Sequence, residues 1–256
     1  MRIMITNDDG IHAPGLKVME ELAAQLSDDV WVVAPEGEQS GAGHSLTLAH
    51  PLRMRKMGPR RFAVAGTPTD CVMLGLHKAL EGPEPDLLLS GVNMGGNLAE
   101  DVTYSGTVAG AMEGSLAGIP SIALSQVIDR NHDGDHFAPA RQHGVDVIQR
   151  LLKEGWPGAD VLINVNFPPA SKGPVKGVRT TEQGRRDVKN LDVIERKDAR
   201  GQTYYWFGLG RRSAKPGHET DLKAVAEGLI AVTPLHLDLT HFATRSQFMD
   251  TLNFDF

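Results

Sequence analysis

Two adjacent aspartates, Asp8 and Asp9, stand in the stretch ITNDDG (5–10), where a short apolar run gives way to a turn. Inside a strand neighbouring side chains point to opposite faces, so consecutive carboxylates there could not serve one ligand. Past the strand end the backbone turns, Gly10 permits the turn, and both carboxylates can face one point. Unpaired carboxylates at close range push a pKa upward and weaken the fold. A hard divalent cation removes that cost, and an all-oxygen ligand set suits Mg²⁺ or Mn²⁺. An isolated Asp-Asp-Gly is better explained as a turn with one aspartate capping the next helix, so the reading depends on what else gathers there.

Three further loops follow strand-like runs or precede a helix. QSGAGHS (39–45) brings Ser40, His44 and Ser45 in a glycine-spaced loop that serves equally well as a surface turn. SGVNMGGN (90–97) sets Asn93 and Asn97 among glycines after a buried run. Their carbonyls are neutral oxygen ligands and their amides donate to phosphate oxygens, although Asn-Gly turn chemistry also accounts for them. In YSGTVAGAMEG, Ser105, Gly106 and Thr107 open a helix of small residues. Free N–H groups and the helix dipole at such a start attract an anion; ordinary N-capping is the plain alternative. A cation on one side and an anion cradle on the other is the layout of a phosphate-ester hydrolase. Cys71 falls on the apolar face of a helix and reads as a buried thiol. His12 and His44 stand alone, the ten histidines lack zinc-ligand spacing, and RNHDGDH (130–136) reads as a solvated loop.

The elements that must position these loops alternate along the chain. Apolar runs at 3–6, 30–35, 61–66, 85–91, 120–125 and 160–167 read as strands, and amphipathic stretches at 14–26, 67–80, 106–118 and 138–153 as helices. Strands that are apolar throughout, separated by helices, indicate an α/β fold with a mainly parallel sheet covered on both faces. Ligands then bind beyond the carboxyl ends of the strands, where the four loops converge. After about Pro168 the chain turns polar and rich in Gly, Lys and Arg, the texture of an extended hairpin arm (Lys172–Arg212), before a short helix at ETDLKAVAEG and a strand at LIAVTPL. The chain therefore divides into a catalytic core over 1–168 and an arm with a C-terminal segment over 169–256, within one overall domain.

The 256 residues are 41% hydrophobic and 23% charged, with a net charge of −6 that argues against nucleic acid as the main partner. A single cysteine excludes an internal disulfide framework and fits a reducing compartment. No run approaches the roughly 18 apolar residues of a membrane span, and the N-terminus enters a strand without a signal-peptide core. The expectation is a soluble cytoplasmic protein with no membrane or nucleic-acid partner.

Taken together, MRIMITNDDGIHAPGL, QSGAGHSLTL, GTPTDCV, SGVNMGGNLAEDVTYSGTVAGAMEG and AVTPLHLDLT resemble the SurE (stationary-phase survival protein E) family, in the right order over nearly the whole chain. The resemblance implies a Rossmann-like fold with an extended β-hairpin arm and a C-terminal segment exchanged between subunits of a homodimer, or of a tetramer. It implies a metal-dependent phosphatase of nucleoside 5′-monophosphates, with 3′-monophosphates and polyphosphate as further substrates. Carried over by motif, Asp8, Asp9, Ser40 and Asn93 hold one divalent cation per subunit, Mg²⁺ or Mn²⁺. Asn97, Ser105, Gly106 and Thr107 surround the phosphate, and Asp8 and Asp9 are the catalytic pair, either able to take a proton. One departure is NMGGN, where many relatives have a proline. The adjacent aspartates disfavour a phosphoaspartate route, because haloacid-dehalogenase-type phosphatases space theirs by one residue. The alternatives are a non-catalytic nucleotide-binding module with the arm as contact surface, and a dinucleotide-dependent oxidoreductase, which lacks a G-x-G-x-x-G after the first strand.

Overall fold

The apolar run at the N-terminus becomes an inner strand. In the computed structural model, which describes residues 1–186, 192–208 and 219–252, β1 (Arg2–Thr6) pairs in parallel with β2 (Asp29–Pro35) on one side and β5 (Leu87–Met94) on the other. Ile3 and Ile5 are buried with α1 (Pro14–Ala24) and α4 (Ala138–Glu154) on one face; Met4, between them, is buried with Cys71 and Val72 of α2 (Pro68–Leu74) on the opposite face. Both faces are thus covered, which is why the strands carry no polar alternation.

With β3 (Met54–Gly58), β4 (Arg61–Val64), β6 (Ser121–Gln126), β7 (Val161–Phe167), β8 (Val178–Thr180) and β11 (Ile230–His236), these form a nine-stranded sheet in the order β3-β4-β2-β1-β5-β6-β7-β11-β8. The chain leaves β1 through α1 towards β2, and after α2 it returns on the other side as β5. The sheet order reverses between β1 and β5, so their carboxyl ends flank the crevice where α/β folds bind ligands. The fold is α/β with a mostly parallel sheet, as the alternation of elements predicts, and Rossmann-like, as the family resemblance implies.

The helix α3 (Gly106–Leu116) lies close to this sheet because Gly106, Gly110 and Gly114 face it. A Cβ at Gly110 would stand 2.8 Å from Thr6 Cγ2, and one at Gly114 2.4 Å from Ser121 Oγ.

Three features differ from the sequence reading. The stretch read as one helix over 67–80 is α2 followed by a wider turn at Gly75–Ala79. The short strands β3 and β8 are not marked by apolar runs, and residues of both are exposed. The LIAVTPL strand β11 runs antiparallel to β7 and parallel to β8, returning the chain after Pro168 to the same sheet. The arm takes form as an antiparallel ribbon of β9 (Asp192–Lys197) and β10 (Thr203–Gly208), separate from the main sheet. The rest of the basic tract at 187–191 and 209–218 lies outside the described residues. Helices α5 (Asp221–Ala226) and α6 (Phe242–Leu252) complete the chain.

At the start of α2, Thr67 and Asp70 form a capping box. Asp70 is fully buried and accepts from Thr67 N at 2.8 Å, Thr47 N at 2.9 Å and the Thr47 hydroxyl at 2.6 Å, tying the loop before β3 to the helix. Asp70→Ala leaves these donors without a partner, and a loss of about 3 kcal/mol is expected in urea unfolding.

Candidate active site

Strand β1 ends at Thr6, and the backbone turns through Asn7 to Gly10, which sits at φ +103°. Asn7 braces the turn, its Nδ2 donating to the Gly10 carbonyl at 3.0 Å. Between them Asp8 and Asp9 both line a cleft of about 480 Å³, shared with Glu38, Ser40, Asn93, Asn97, Asp101, Tyr104 and Ser105. The two carboxylates do converge once the strand is left behind.

Asp8 is 4% exposed and is held by the start of α3, accepting from the Thr107 hydroxyl at 2.5 Å and from the Thr107 backbone N–H. A Cβ on Gly106 would stand 2.8 Å from Asp8 Cβ, so the helix can begin here only with glycine. Burial pushes the Asp8 carboxyl up to about 6; the Thr107 hydroxyl opposes the shift and the Asp9 charge adds to it. Asp9 is raised in turn, first by burial and also by Glu38, against the Met94 N–H that donates to it at 3.1 Å.

The loop carrying Ser40 is pinned at two points across the cleft: Gln39 N donates to the Asp8 carbonyl at 2.8 Å, and Gly43 N to the Tyr104 carbonyl at 3.2 Å. Ser40 Oγ donates to Glu38 at 3.0 Å. Asn93 is the next-to-last residue of β5, its Nδ2 donating to the Gly95 carbonyl at 3.0 Å and leaving Oδ1 as the atom it can offer a ligand. Asn97 is clamped by side chains from β6 and β7. Its N–H donates to Asn166 Oδ1 at 2.8 Å, its carbonyl accepts from Asn164 at 2.8 Å and Asn166 at 3.0 Å, and its amide donates to Ser125 at 2.8 Å. Ser105 caps α3, accepting from Val108 N at 3.0 Å.

Of the residues singled out in the sequence, Asp8, Asp9, Ser40, Asn93, Asn97 and Ser105 line one cleft. Gly106 and Thr107 are buried behind Asp8 rather than in the lining. Glu38, Asp101 and Tyr104 line it as well, without having been singled out. Each sits one to four residues from a motif residue, but spacing alone does not say which neighbours face the cleft. His44 pairs with Glu113 at 3.0 Å outside the lining, His12 is exposed, and Cys71 is buried. The 130–136 stretch is largely exposed, as a solvated loop should be.

Among the described residues that line the cleft none is Arg, Lys or His. Asp8, Asp9 and Glu38 therefore face one another without a cationic side chain in the described lining, while Asp101 is paired from behind with Arg186, and an anionic substrate entering alone would be repelled. Among the described residues no group of three His, Cys, Asp or Glu side chains forms a closed metal cage. Two carboxylates with Asn and Ser oxygens fit a hard cation that keeps part of its water shell, as Mg²⁺ does.

Residues 3–190 match the family model described as Survival protein SurE. The 5′-nucleotidase SurE of Caulobacter vibrioides (strain NA1000 / CB15N) is 57% identical over 246 residues, covering 95% of this chain and 93% of that protein. The 5′-nucleotidase SurE of Erythrobacter litoralis is 54% identical, covering 96% and 97%. The crystal structure of the SurE protein from Aquifex aeolicus superimposes with a TM-score of 0.82 at 42% identity, covering 98% of this chain and 99% of that one.

Asp8 supplies a test of the site's electrostatics. Its pKa is 3.8 when unfolded and about 6 in the fold, so between these values the folded chain holds more protons and stability falls as pH rises. The loss is complete above about 6 and amounts to on the order of 3 kcal/mol. In chelator, Asp8→Asn should therefore gain stability relative to the unaltered chain by about that much between pH 4 and pH 7.5. Urea unfolding at the two pH values checks this; a difference that does not move with pH would show that Asp8 ionises normally.

Proposed function

The chain belongs to the survival protein SurE family and is a 5′-nucleotidase, and on that premise we propose that its cleft hydrolyses nucleoside 5′-monophosphates with one divalent cation per subunit, Mg²⁺ or Mn²⁺. The observation that carries this reading is the pair Asp8 and Asp9, both buried enough to be raised in pKa, at the sheet's reversal point in a cleft where no described lining residue is cationic.

Asp8, Asp9, Ser40 and Asn93 would hold the cation, which when bound supplies charge neutralisation at the phosphate and a more acidic water. The residues of the chain do the rest. Thr107 holds Asp8 in place by two hydrogen bonds, so Asp8 presents the same face before and after substrate enters. Among the described residues Asp9 accepts the Met94 N–H at Oδ2, and its Oδ1 would be the atom able to take a proton, a role Asp8 could also fill. Asn97 and Ser105 would form the phosphate side, and Gly106 lets α3 begin close behind Asp8. Thr107 contributes there through Asp8. The same phosphate side would admit 3′-monophosphates and the terminal group of polyphosphate.

The exposed apolar side chains of the ribbon, Val193, Tyr205, Trp206 and Phe207, and those of α6, Phe242, Phe248 and Met249, support packing against a second copy of the chain, with the C-terminal segment exchanged in a homodimer or tetramer. Among the described residues no helix is long and apolar enough to cross a membrane. The single buried free cysteine supports a cytoplasmic setting, and the net charge of −6 supports a small-molecule rather than a nucleic-acid partner.

The test is phosphate release from a panel of nucleoside 5′- and 3′-monophosphates and polyphosphate, in Mg²⁺, Mn²⁺ or excess chelator. Release should require metal and fall about 100-fold or more in Asp9→Asn. Nucleotide binding that survives chelator without any release would make the chain a binding module. Equal release by Asp9→Asn would move the site elsewhere.

A further inference from the structure

The cleft wall between Asn97 and Ser105 is a tight helical turn, Ala99–Tyr104, from which Asp101 and Tyr104 line the cleft. This wall has an unusual support. Ala99 is a buried non-glycine residue at φ +54°, and both of its backbone groups are taken by side chains far along the chain. Its N–H donates to Asp221 at 2.7 Å, and its carbonyl accepts from Gln183 at 3.0 Å. Asp221 is fully buried and also accepts from Gly184 N at 2.9 Å and Leu222 N at 2.7 Å, so one carboxylate joins the wall, the root of the arm and α5. Arg186 completes the bracket: its backbone N–H donates to Glu100 at 3.0 Å and its guanidinium pairs with Asp101. Behind the wall Leu98 packs on Ala224, Val225 and Ala231.

The cleft is larger than a phosphate and a cation require; about 480 Å³ lies within the roughly 300–1,000 Å³ of pockets that enclose whole organic ligands. Asn97 and Ser105, at the two ends of the wall, belong to the proposed phosphate side, so the organic part of a bound ester extends along the wall between them. Tyr104 is 55% exposed and offers an aromatic face there, and Asp101, neutralised by Arg186, keeps lone pairs for hydroxyl donors. An aromatic surface next to a hydroxyl acceptor matches a base joined to a ribose.

We propose that Asp221 and Arg186 are positioning residues that fix this wall as the nucleoside-facing side of the cleft, with Tyr104 meeting the base and Asp101 the ribose hydroxyls, so that the arm root sets selectivity for a nucleotide over bare phosphate. The proposal rests on the phosphatase reading above. Its test uses the full chain with saturating Mg²⁺ and two readouts: KM for adenosine 5′-monophosphate, and the inhibition constant of inorganic phosphate, which reports the cation and phosphate side alone. Arg186→Met, Asp221→Asn and Tyr104→Ala should each raise KM by about fivefold or more, while the phosphate constant stays within about twofold. If Asp221→Asn does not fold, Arg186→Met carries the test, because it removes the ion pair and keeps the backbone bond to Glu100. Parallel weakening of both readouts would make the bracket a general scaffold and overturn the proposal, as would an unchanged KM. Absence of metal-dependent release by the unaltered chain would overturn the phosphatase reading, and this proposal with it.

Discussion

The structure turns on one buried carboxylate. Asp8 sits where an unpaired negative charge is costly, and besides its own backbone N–H the groups that make it tolerable, the hydroxyl and N–H of Thr107, come from the first turn of α3. That contact fixes where α3 begins relative to β1 and fixes which face of the carboxylate meets the cleft. With Asp9 beside it and no cationic side chain among the described lining residues, the ordered arrangement favours a cation over an empty cleft. The free energy of holding two acids together is recovered when a ligand of opposite charge arrives.

The remaining parts of the site are held largely by hydrogen bonds to side chains and main chain. Asn97 is gripped by Asn164, Asn166 and Ser125, Ala99 by Asp221 and Gln183, and the Ser40 loop by main-chain bonds at both ends. Hydrogen bonds are directional, so they fix loop positions in a way that apolar contacts, which tolerate sliding, do not. The sheet supplies rigidity and the polar clamps transfer it to the loops.

How much of this can be read from the sequence follows from the range of the interactions. Strands such as β1 and β5 announce themselves, because burial on both faces requires unbroken apolar runs; β3 and β8, at the sheet edges, carry no such requirement and leave no pattern. The turn at Asp8–Gly10 is local chemistry and is legible, whereas the position of Thr107 behind Asp8, 99 residues away, is not. A start-of-helix Thr reads equally as a cap, an anion donor or a brace, and only packing decides among them. Asp221 shows the same limit: in the sequence it is an acidic residue in the first turn of a short helix, and in the fold it joins three segments.

The glycines of α3 have a consequence for how this protein can change over generations. At Gly106, Gly110 and Gly114 the helix has no space for even a methyl group against Asp8, Thr6 or Ser121, so side-chain growth on that face is closed. The opposite layer of α1 and α4 meets the sheet mainly through Leu, Val and Ile packing, where volumes can be traded between neighbours, with one close approach at Gly15, whose Cβ would stand 1.9 Å from the Val92 carbonyl oxygen. New substrate preferences therefore cannot evolve by shifting the helix that braces the charged centre. They must arise in the connecting loops and in the wall at Ala99–Tyr104, and inheritance acts on a fixed chemical core with an adjustable rim.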